Sequence, residues 1–470
     1  MAGNDEKGGV TMTVAPERHV TAPTRVAEPS AGHVGVRLAL VAGAIAIVVM
    51  WWIDPSPMHG AGAAVTAAGR LAGLLGAYLV LVQLLLMARI AWFEHAVGFD
   101  RLTAWHRGLG TNTVLLLVAH VLLIVEGYSL TDHRAVVSTG WRVLSTYPSM
   151  LKATAGLLLF GLVAVTSGRA MRRRLSYEAW YAVHLTAYAA VSLAFMHQIN
   201  AGQDFVGHPV NRALWWGLYL FVAIEVLRGR VFLPFRTWFR HRMLVERVVV
   251  ESPGVVSVWV RGRRLHDLGA EAGQFLLWRF LAPGHVWSAH PYSLSAAPQD
   301  GRLRITVKDA GDHSAALAHL RPGTPVIAEG PFGHFTLGRS VGTRLLLVAG
   351  GSGIGPIRAL AEELVRRGPR HHLDAVLVYR VGHERDLALR HELDLLAREA
   401  GLRVFYVVGH RSELGADPFS PAAIHQLVPD VRSRDVYVCG PAGMTHDVLR
   451  ALRELRVPVR QLHSEDFEMA

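Results

Sequence analysis

The chain of 470 residues carries a single cysteine, Cys439. An intramolecular disulfide is therefore excluded, as are a cysteine-ligated iron–sulfur cluster and a cysteine-rich zinc site within one chain. Any redox centre has to use other ligands or bound organic cofactors. The sequence also lacks a calcium-binding loop, a short-period repeat and any nucleic-acid motif, so its net charge of +11 is not read as nucleic-acid binding. No small-residue cleavage site follows the first apolar run, which is read as a retained helix. Residues 1–30 are polar and without apolar periodicity, and 1–34 are expected to form a disordered cytoplasmic tail.

What is present divides the chain. Mean hydropathy is +0.27 although 18% of residues are charged. A uniform soluble protein rarely combines the two, and the apolar residues concentrate in the first half. The length suits two or three domains. Six apolar segments, 38–53, 71–92, 107–127, 150–167, 177–199 and 214–233, approach the roughly 20 residues of helix that a bilayer core needs. Arginines cluster at 89–107, 169–174 and 228–242, whereas 54–70, 128–149 and 200–213 carry few basic residues. That asymmetry predicts a multi-pass protein of the cell membrane with both termini cytoplasmic. Trp51, Trp52, Trp141, Trp215 and Trp216 fall near the expected interfaces, as belt aromatics do.

After residue 240 the texture changes. Segments 243–251, 255–261, 274–280 and 302–308 read as short strands between Gly, Pro and Asp turns. From about 343, buried strands at 344–349, 373–379, 402–408 and 434–438 alternate with helices at 356–367, 386–399, 421–427 and 442–455, the pattern of a doubly wound α/β domain. The expected fold is multi-domain: a six-helix transmembrane bundle over 35–236, an antiparallel β-barrel over 240–337, and an α/β doubly wound nucleotide-binding domain over 338–470.

Four of the 25 histidines lie in apolar segments at matched spacing. His106 and His120 are 14 residues apart on the third, and His184 and His197 are 13 apart on the fifth. At the helical rise these intervals are about 21 and 20 Å, so His106 comes level with His184 and His120 with His197. Haem iron accepts axial imidazole, and two stacked haems would form an electron path. A rotation of about 100° per residue brings the first pair back within about 40° of one face but leaves the second about 140° apart, so the fifth helix is irregular or approaches from two sides. The competing readings are polar residues hydrogen-bonded inside a bundle, or a metal-ion path.

Six helices with this histidine spacing resemble the ferric reductase / NADPH oxidase superfamily. The resemblance covers roughly residues 35–470. It implies that His106, His120, His184 and His197 ligate two b haems, and that Arg70 on the second helix lies near the outer one. The superfamily's oxidases often carry a further histidine one turn after the outer ligand of the third helix, where this chain has Ile124.

The second half carries the matching flavin motifs. His290-Pro291-Tyr292-Ser293 resembles the superfamily's His-Pro-aromatic-Ser/Thr signature. It implies His290 at an FAD phosphate, Tyr292 packed on the isoalloxazine and Ser293 near flavin N5. Lys308 and Gly311-Asp312-His313-Ser314 follow. Ser314 is expected to cap a helix at 315–320 whose N-terminus suits a pyrophosphate. Glu329-Gly330-Pro331-Phe332-Gly333 resembles the turn that closes the flavin domain.

Gly350-Gly351-Ser352-Gly353-Ile354-Gly355-Pro356 lies between a strand and a helix, where glycines allow close approach to a pyrophosphate. Its Gly-x-x-Pro ending resembles the ferredoxin–NADP reductases. Cys439-Gly440-Pro441 resembles the family's Cys-Gly-Pro, which sets the thiol beside the nicotinamide. Arg380 stands where the family often places a group on the 2′-phosphate, with Arg385 expected to help, and a guanidinium there favours NADPH over NADH. Glu465 and Phe467 resemble the family's C-terminal Glu and aromatic, with Phe467 expected over the flavin.

The expected activity is that of an NAD(P)H-dependent transmembrane oxidoreductase with FAD and two b haems, moving electrons outward to ferric chelates. The alternatives are oxygen reduction to superoxide, donation to a quinone or partner protein, and, in another class, an ion or metal transporter with a nucleotide-binding sensor domain. The expected partners are the lipid bilayer, a pyridine nucleotide and the acceptor.

Overall fold

The computed structural model describes residues 31–53, 59–367, 374–410 and 417–466. Six long helices occupy the first half: α1 (Ala31–Ile53), α2 (Ala61–Leu86), α3 (Phe99–Asp132), α4 (Met150–Ser167), α5 (Tyr177–Ala201) and α6 (Pro209–Leu227). The first five are long and apolar enough to cross a membrane by length and composition. Their ends follow local chemistry. Ser176 caps α5, its Oγ accepting from the Ala179 N–H at 3.2 Å, and Glu178 favours the same terminus. Pro209 opens α6, where a missing N–H costs nothing.

Helix extends beyond the apolar cores read from the sequence, because flanking polar residues complete turns that hydropathy does not register. The first helix starts at Ala31 rather than Leu38, so residues 31–34 of the expected tail are helical. The remainder of that tail, 1–30, lies outside the described residues. The expected loop 128–149 holds a helix, Val136–Thr146.

Small residues set how closely the helices pack. On α2, a Cβ at Gly62 would lie 2.3 Å from Thr131 Oγ1 of α3, and one at Gly73 would lie 2.5 Å from His120 Nδ1. Across α4 and α5, a Cβ at Gly156 would meet Ala190 O at 2.8 Å. Without a hydrophobic force between helices in lipid, such backbone approach is what holds them. Each histidine-bearing helix, α3 and α5, is thus tied closely to a neighbour that carries none of the four histidines.

A π-helical turn, Arg228–Phe232, and a helix, Leu233–His241, lead into the first sheet. This is six-stranded and antiparallel: β1 (Met243–Ser252), β2 (Val255–Arg261), β3 (Phe275–Phe280), β4 (His290–Ser293), β5 (Arg302–Lys308) and β6 (Pro325–Phe332), in order β4-β3-β6-β1-β2-β5. An isolated bridge between Leu294 and Ile305 joins its two edges. Val258, Trp278, Phe280 and Ile305 fill its core. The second sheet is parallel: β7 (Leu345–Gly350), β8 (Ala375–Val381), β9 (Arg403–Val408), β10 (Asp435–Gly440) and β11 (Leu462–Asp466), in order β11-β10-β7-β8-β9. Helices α7 (Ile354–Arg366), α8 (Arg390–Ala400), α9 (Pro421–Leu427) and α10 (Ala442–Glu454) connect it. Every residue of β7 and β10 is buried, the composition expected of a parallel sheet covered on both faces.

Three seams join these parts. Between the sheets, Arg304 donates to Glu392 at 2.7 Å and to the Ser295 carbonyl at 2.7 Å, while Arg358 pairs with Glu362 and Glu392. At the membrane side, Arg89, in the turn after α2, pairs with buried Glu329 of β6. Beside that pair Phe99, at the start of α3, packs on Phe332 and Phe275, with centroids 5.4 and 6.0 Å away.

Candidate functional site

The histidines meet as their spacing predicts. His106 and His184 have ring centroids 5.9 Å apart, and His120 and His197 are 6.5 Å apart. An imidazole nitrogen binds a transition metal at about 2.0–2.1 Å, so at these separations the two rings of each pair could both reach one ion.

In all four rings Nδ1 is the nitrogen already engaged. His120 Nδ1 meets Gly69 O at 2.8 Å, His106 Nδ1 meets Gln83 O at 3.3 Å, and His197 Nδ1 meets Ala194 O of its own helix. His184 Nδ1 lies 3.5 Å from Ser167 Oγ. A proton held at Nδ1 leaves the Nε2 lone pair for a metal, the arrangement by which outer partners orient ligating histidines. The helix α5 is unbroken, so no irregularity absorbs the rotational mismatch. Its two imidazoles leave on different sides: His184 leans toward α4, and His197 folds back along its own helix.

Arg70 does not stand alone beside this site. Its Nη2 and Nε donate to Asp204 Oδ1 at 2.5 Å and Oδ2 at 3.2 Å, and both side chains are buried. It adjoins Gly69, the partner of His120. Ile124 packs on Gly69, where a Cβ would lie 3.1 Å from Ile124 Cδ1.

In the antiparallel sheet, β4 places His290 and Tyr292 in one cluster with two further histidines. The His290 and His313 centroids are 3.6 Å apart, His285 Nδ1 meets His313 Nε2 at 2.9 Å, and Tyr292 Oη meets His313 Nδ1 at 3.3 Å. Burial and the neighbouring His290 and His285 push His313 down to about 3. Burial also lowers His290, partly offset by Glu178, and raises Tyr292. Burial thus favours uncharged imidazoles throughout the cluster. Ser314 departs from its expected role. It lies inside the short helix Asp312–Ala316, whose N-cap is Gly311, and its Oγ accepts from the Ala310 N–H at 2.8 Å. Gly311 has φ +149, which a side chain rarely adopts. The hydroxyl therefore closes the loop rather than capping the helix.

Ser293 and Glu465 come together across the two sheets, Ser293 Oγ donating to Glu465 Oε2 at 3.3 Å. Glu465 is in register with Cys439 on β10–β11, and Cys439 is fully buried. Phe467 lies outside the described residues.

The ends of β7 and β10 form a cleft of about 490 Å³ lined by Lys308, Gly350, Gly351, Arg380 and Pro441 among others. Chain order reverses between β10 and β7, and such a crevice is where open α/β sheets bind ligands. A Cβ at Gly353 would lie 2.1 Å from Cys439 O, so this glycine is required by close approach of the two loops. Pro356 and Gly440 are buried and are not among the lining residues. The Arg380 guanidinium is turned onto the carbonyls of Val381 and Val407, at 2.5 and 3.4 Å. Arg385, on the turn Glu384–Asp386, is not among the lining residues, although Asp386 is.

Sequence reasoning missed several contributors: His313 and His285, Asp204, Ser167, and the aromatic pair Tyr177 and Trp180. The last two were within reach, lying seven and four residues before His184 on the same helical face.

Comparison with known proteins covers both halves. Residues 72–195 match the family model of the ferric reductase like transmembrane component, and 347–450 match that of the oxidoreductase NAD-binding domain. A flavohemoprotein of Xylella fastidiosa is 25% identical over 388 residues, 76% of this chain and 94% of that protein. Ferredoxin–NADP reductase B of Sorangium cellulosum is 31% identical over 214 residues, 42% of this chain and 85% of the reductase. Among solved structures, the FAD/NAD-binding domain of nitric oxide dioxygenase from Vibrio cholerae aligns with 48% of this chain and 98% of its own, at 21% identity and a TM-score of 0.40. The chain is a membrane oxidoreductase of the ferric reductase / NADPH oxidase superfamily, with a ferredoxin–NADP reductase-like module that binds FAD and NAD(P)H.

Proposed function

We propose that the protein carries electrons from cytoplasmic NAD(P)H through FAD and two b haems to an acceptor outside the membrane, with ferric chelates as the acceptor. In this reading α6 is a sixth span. Its 19 residues rise about 28 Å, and Leu214, Leu220, Ile224 and Leu227 leave an apolar face exposed. Both termini are cytoplasmic. Residues 35–236 form the haem domain, 240–337 a barrel-like FAD domain and 338–470 the nucleotide domain.

The observation that carries the proposal is the histidine geometry: two facing pairs at metal-bridging separation, each ring with Nδ1 already engaged. The residues fit haem on that ground. His106 and His184 would hold the inner group, and His120 and His197 the outer. When bound, FAD splits a hydride's two electrons and haem iron carries them singly.

The chain's own groups do the rest. Lys308, Gly350, Gly351, Gly353 and Arg380 line or support the cleft and would receive the dinucleotide, with Arg380 favouring NADPH once its guanidinium turns from the carbonyls. Gly440 and Pro441 shape the nicotinamide end, and the buried Cys439 sets the width there. Tyr292 covers one side of the flavin position, and Ser293, held by Glu465, offers a hydroxyl at its edge. His290, Gly311 and Ser314 bound the phosphate end, and burial keeps His290 neutral until an anion arrives. Ferric chelates are favoured over oxygen. Ile124 stands where oxidases often have histidine and is packed on α2, and the charge of Arg70 is held by Asp204.

The test is the reduced-minus-oxidised spectrum of purified protein with haem and FAD counted per chain. Two low-spin b haems and one FAD are expected. FAD without haem would overturn the relay and return the membrane histidines to a transport role.

A further inference from the structure

Between the flavin motif and the inner histidine pair runs a chain of rings. His290 lies 5.1 Å from Tyr177, Tyr177 5.7 Å from Trp180, Trp180 5.0 Å from His184, and His184 5.9 Å from His106, centroid to centroid. Tyr177, Trp180 and His184 recur at three and four residues, so they share one face of α5. The Arg172 guanidinium lies over both aromatic rings, 5.6 and 4.8 Å from their centroids.

A second contact distinguishes Trp180. Its Nε1–H donates to Ser167 Oγ at 3.2 Å, and that oxygen is 3.5 Å from His184 Nδ1. His120 and His197 rest Nδ1 on main-chain carbonyls. The His184 ring faces a side-chain hydroxyl, and that hydroxyl is held by the indole.

We propose that Tyr177 and Trp180 are the electron bridge from the flavin to the inner haem, and that Trp180 also acts, through Ser167, as a positioning residue for His184. The inference rests on the relay reading above. One electron crosses at a time, reducing one ferric iron to ferrous. Two crossings oxidise the reduced flavin, whose proton is released to the cytoplasm. The rings are not themselves consumed; their π systems shorten the gaps over which the electron must tunnel. A role as interfacial belt aromatics alone would need rings at this depth. It would not need an indole N–H on the hydroxyl that faces a ligand histidine.

The experiment uses the full chain loaded with FAD and haem. In Trp180→Leu and Tyr177→Leu, reduction of flavin by NADPH is expected to be unchanged, while haem reduction slows by about tenfold or more. Trp180→Phe keeps a ring and is expected to slow less. Trp180→Phe and Ser167→Ala are both expected to shift the electron paramagnetic resonance signal and midpoint potential of the inner haem and leave the outer haem's unaltered. Trp52→Leu, at an exposed position on α1, is the control and should change none of these. Haem reduction in Trp180→Leu within about twofold of wild type overturns the bridge. An unaltered inner-haem signal in both Trp180→Phe and Ser167→Ala overturns the positioning role. Wild-type protein that binds no haem overturns the relay reading, and the bridge with it, which separates that failure from a loaded protein whose variants behave as wild type.

Discussion

The two histidine pairs use the same residue type on the same two helices, yet they are held differently. At the outer pair both Nδ1 contacts are main-chain carbonyls, Gly69 and Ala194. Gly73 adds a cradle whose Cβ would strike the His120 ring. At the inner pair one of the two contacts is a serine hydroxyl tied to an indole, and the aromatic run beyond it reaches the soluble half. Main-chain acceptors in packed helices move little. In the proposed relay the outer pair is thus held by main chain, and the inner pair is linked through rings to the reductase half.

The sharpest way to break this comparison is to delete one ligand from each pair. His120→Leu is expected to lose one of two haems, measured by pyridine haemochrome, with NADPH-to-flavin transfer intact. His184→Leu is expected to lose the other and to stop all haem reduction by NADPH. Loss of both haems from either variant would show that the pairs are not independent.

Next in size is the seam between the halves. Arg89→Ala leaves the buried Glu329 carboxylate without its cation, a change that typically costs about 3–5 kcal/mol. The soluble lobe is expected to become protease-sensitive at the junction and haem reduction to slow, while the outer haem's potential holds. A smaller effect is expected for Gly73→Ala. Its new methyl overlaps His120 Nδ1, and overpacking of this kind costs about 1–3 kcal/mol. It should disturb the outer haem's spectrum and spare the inner one. Equal disturbance of both would erase the distinction drawn here.

The smallest effect concerns pH. His285, His290 and His313 each have a folded-state pKa below the ordinary value of 6.5. Below that value the unfolded chain takes up protons that the folded cluster refuses, so stability falls as pH drops from about 6.5 toward 3. Melting of the FAD-free protein between pH 7 and 5 should show the decline, and His313→Gln should flatten it. A profile that rises on acidification would contradict the neutral cluster. A bound FAD phosphate is expected to oppose the trend by favouring the imidazolium.

Much of the site was legible before the fold. The 14- and 13-residue intervals put four histidines at two depths, because helical rise depends on residue number alone. The apparent misfit of the second interval was also legible, but not its resolution: an intact helix whose two imidazoles leave by different sides. The alternation of buried strands and helices after residue 343 identified the nucleotide domain, since a strand covered on both faces is apolar throughout. Helix ends were less legible. Ala31, Ala61 and Phe99 begin helices in sequence too polar or too small to register as apolar runs. Ser314 was placed on a cap because its type and position suit one, whereas the loop's own geometry makes Gly311 the cap.

By itself the sequence determined the inventory and its spacing along each element: which residues can ligate, where glycine lets a phosphate or a helix approach, and how deep each histidine lies. Local periodicity carries that information. The tertiary structure decided which groups complete one another. Ser293 meets Glu465 across 172 residues, Arg70 meets Asp204 across 134, and His290 meets Tyr177 across the junction of two lobes. These pairings come from how separate elements pack against each other, and no repeat along the chain encodes them.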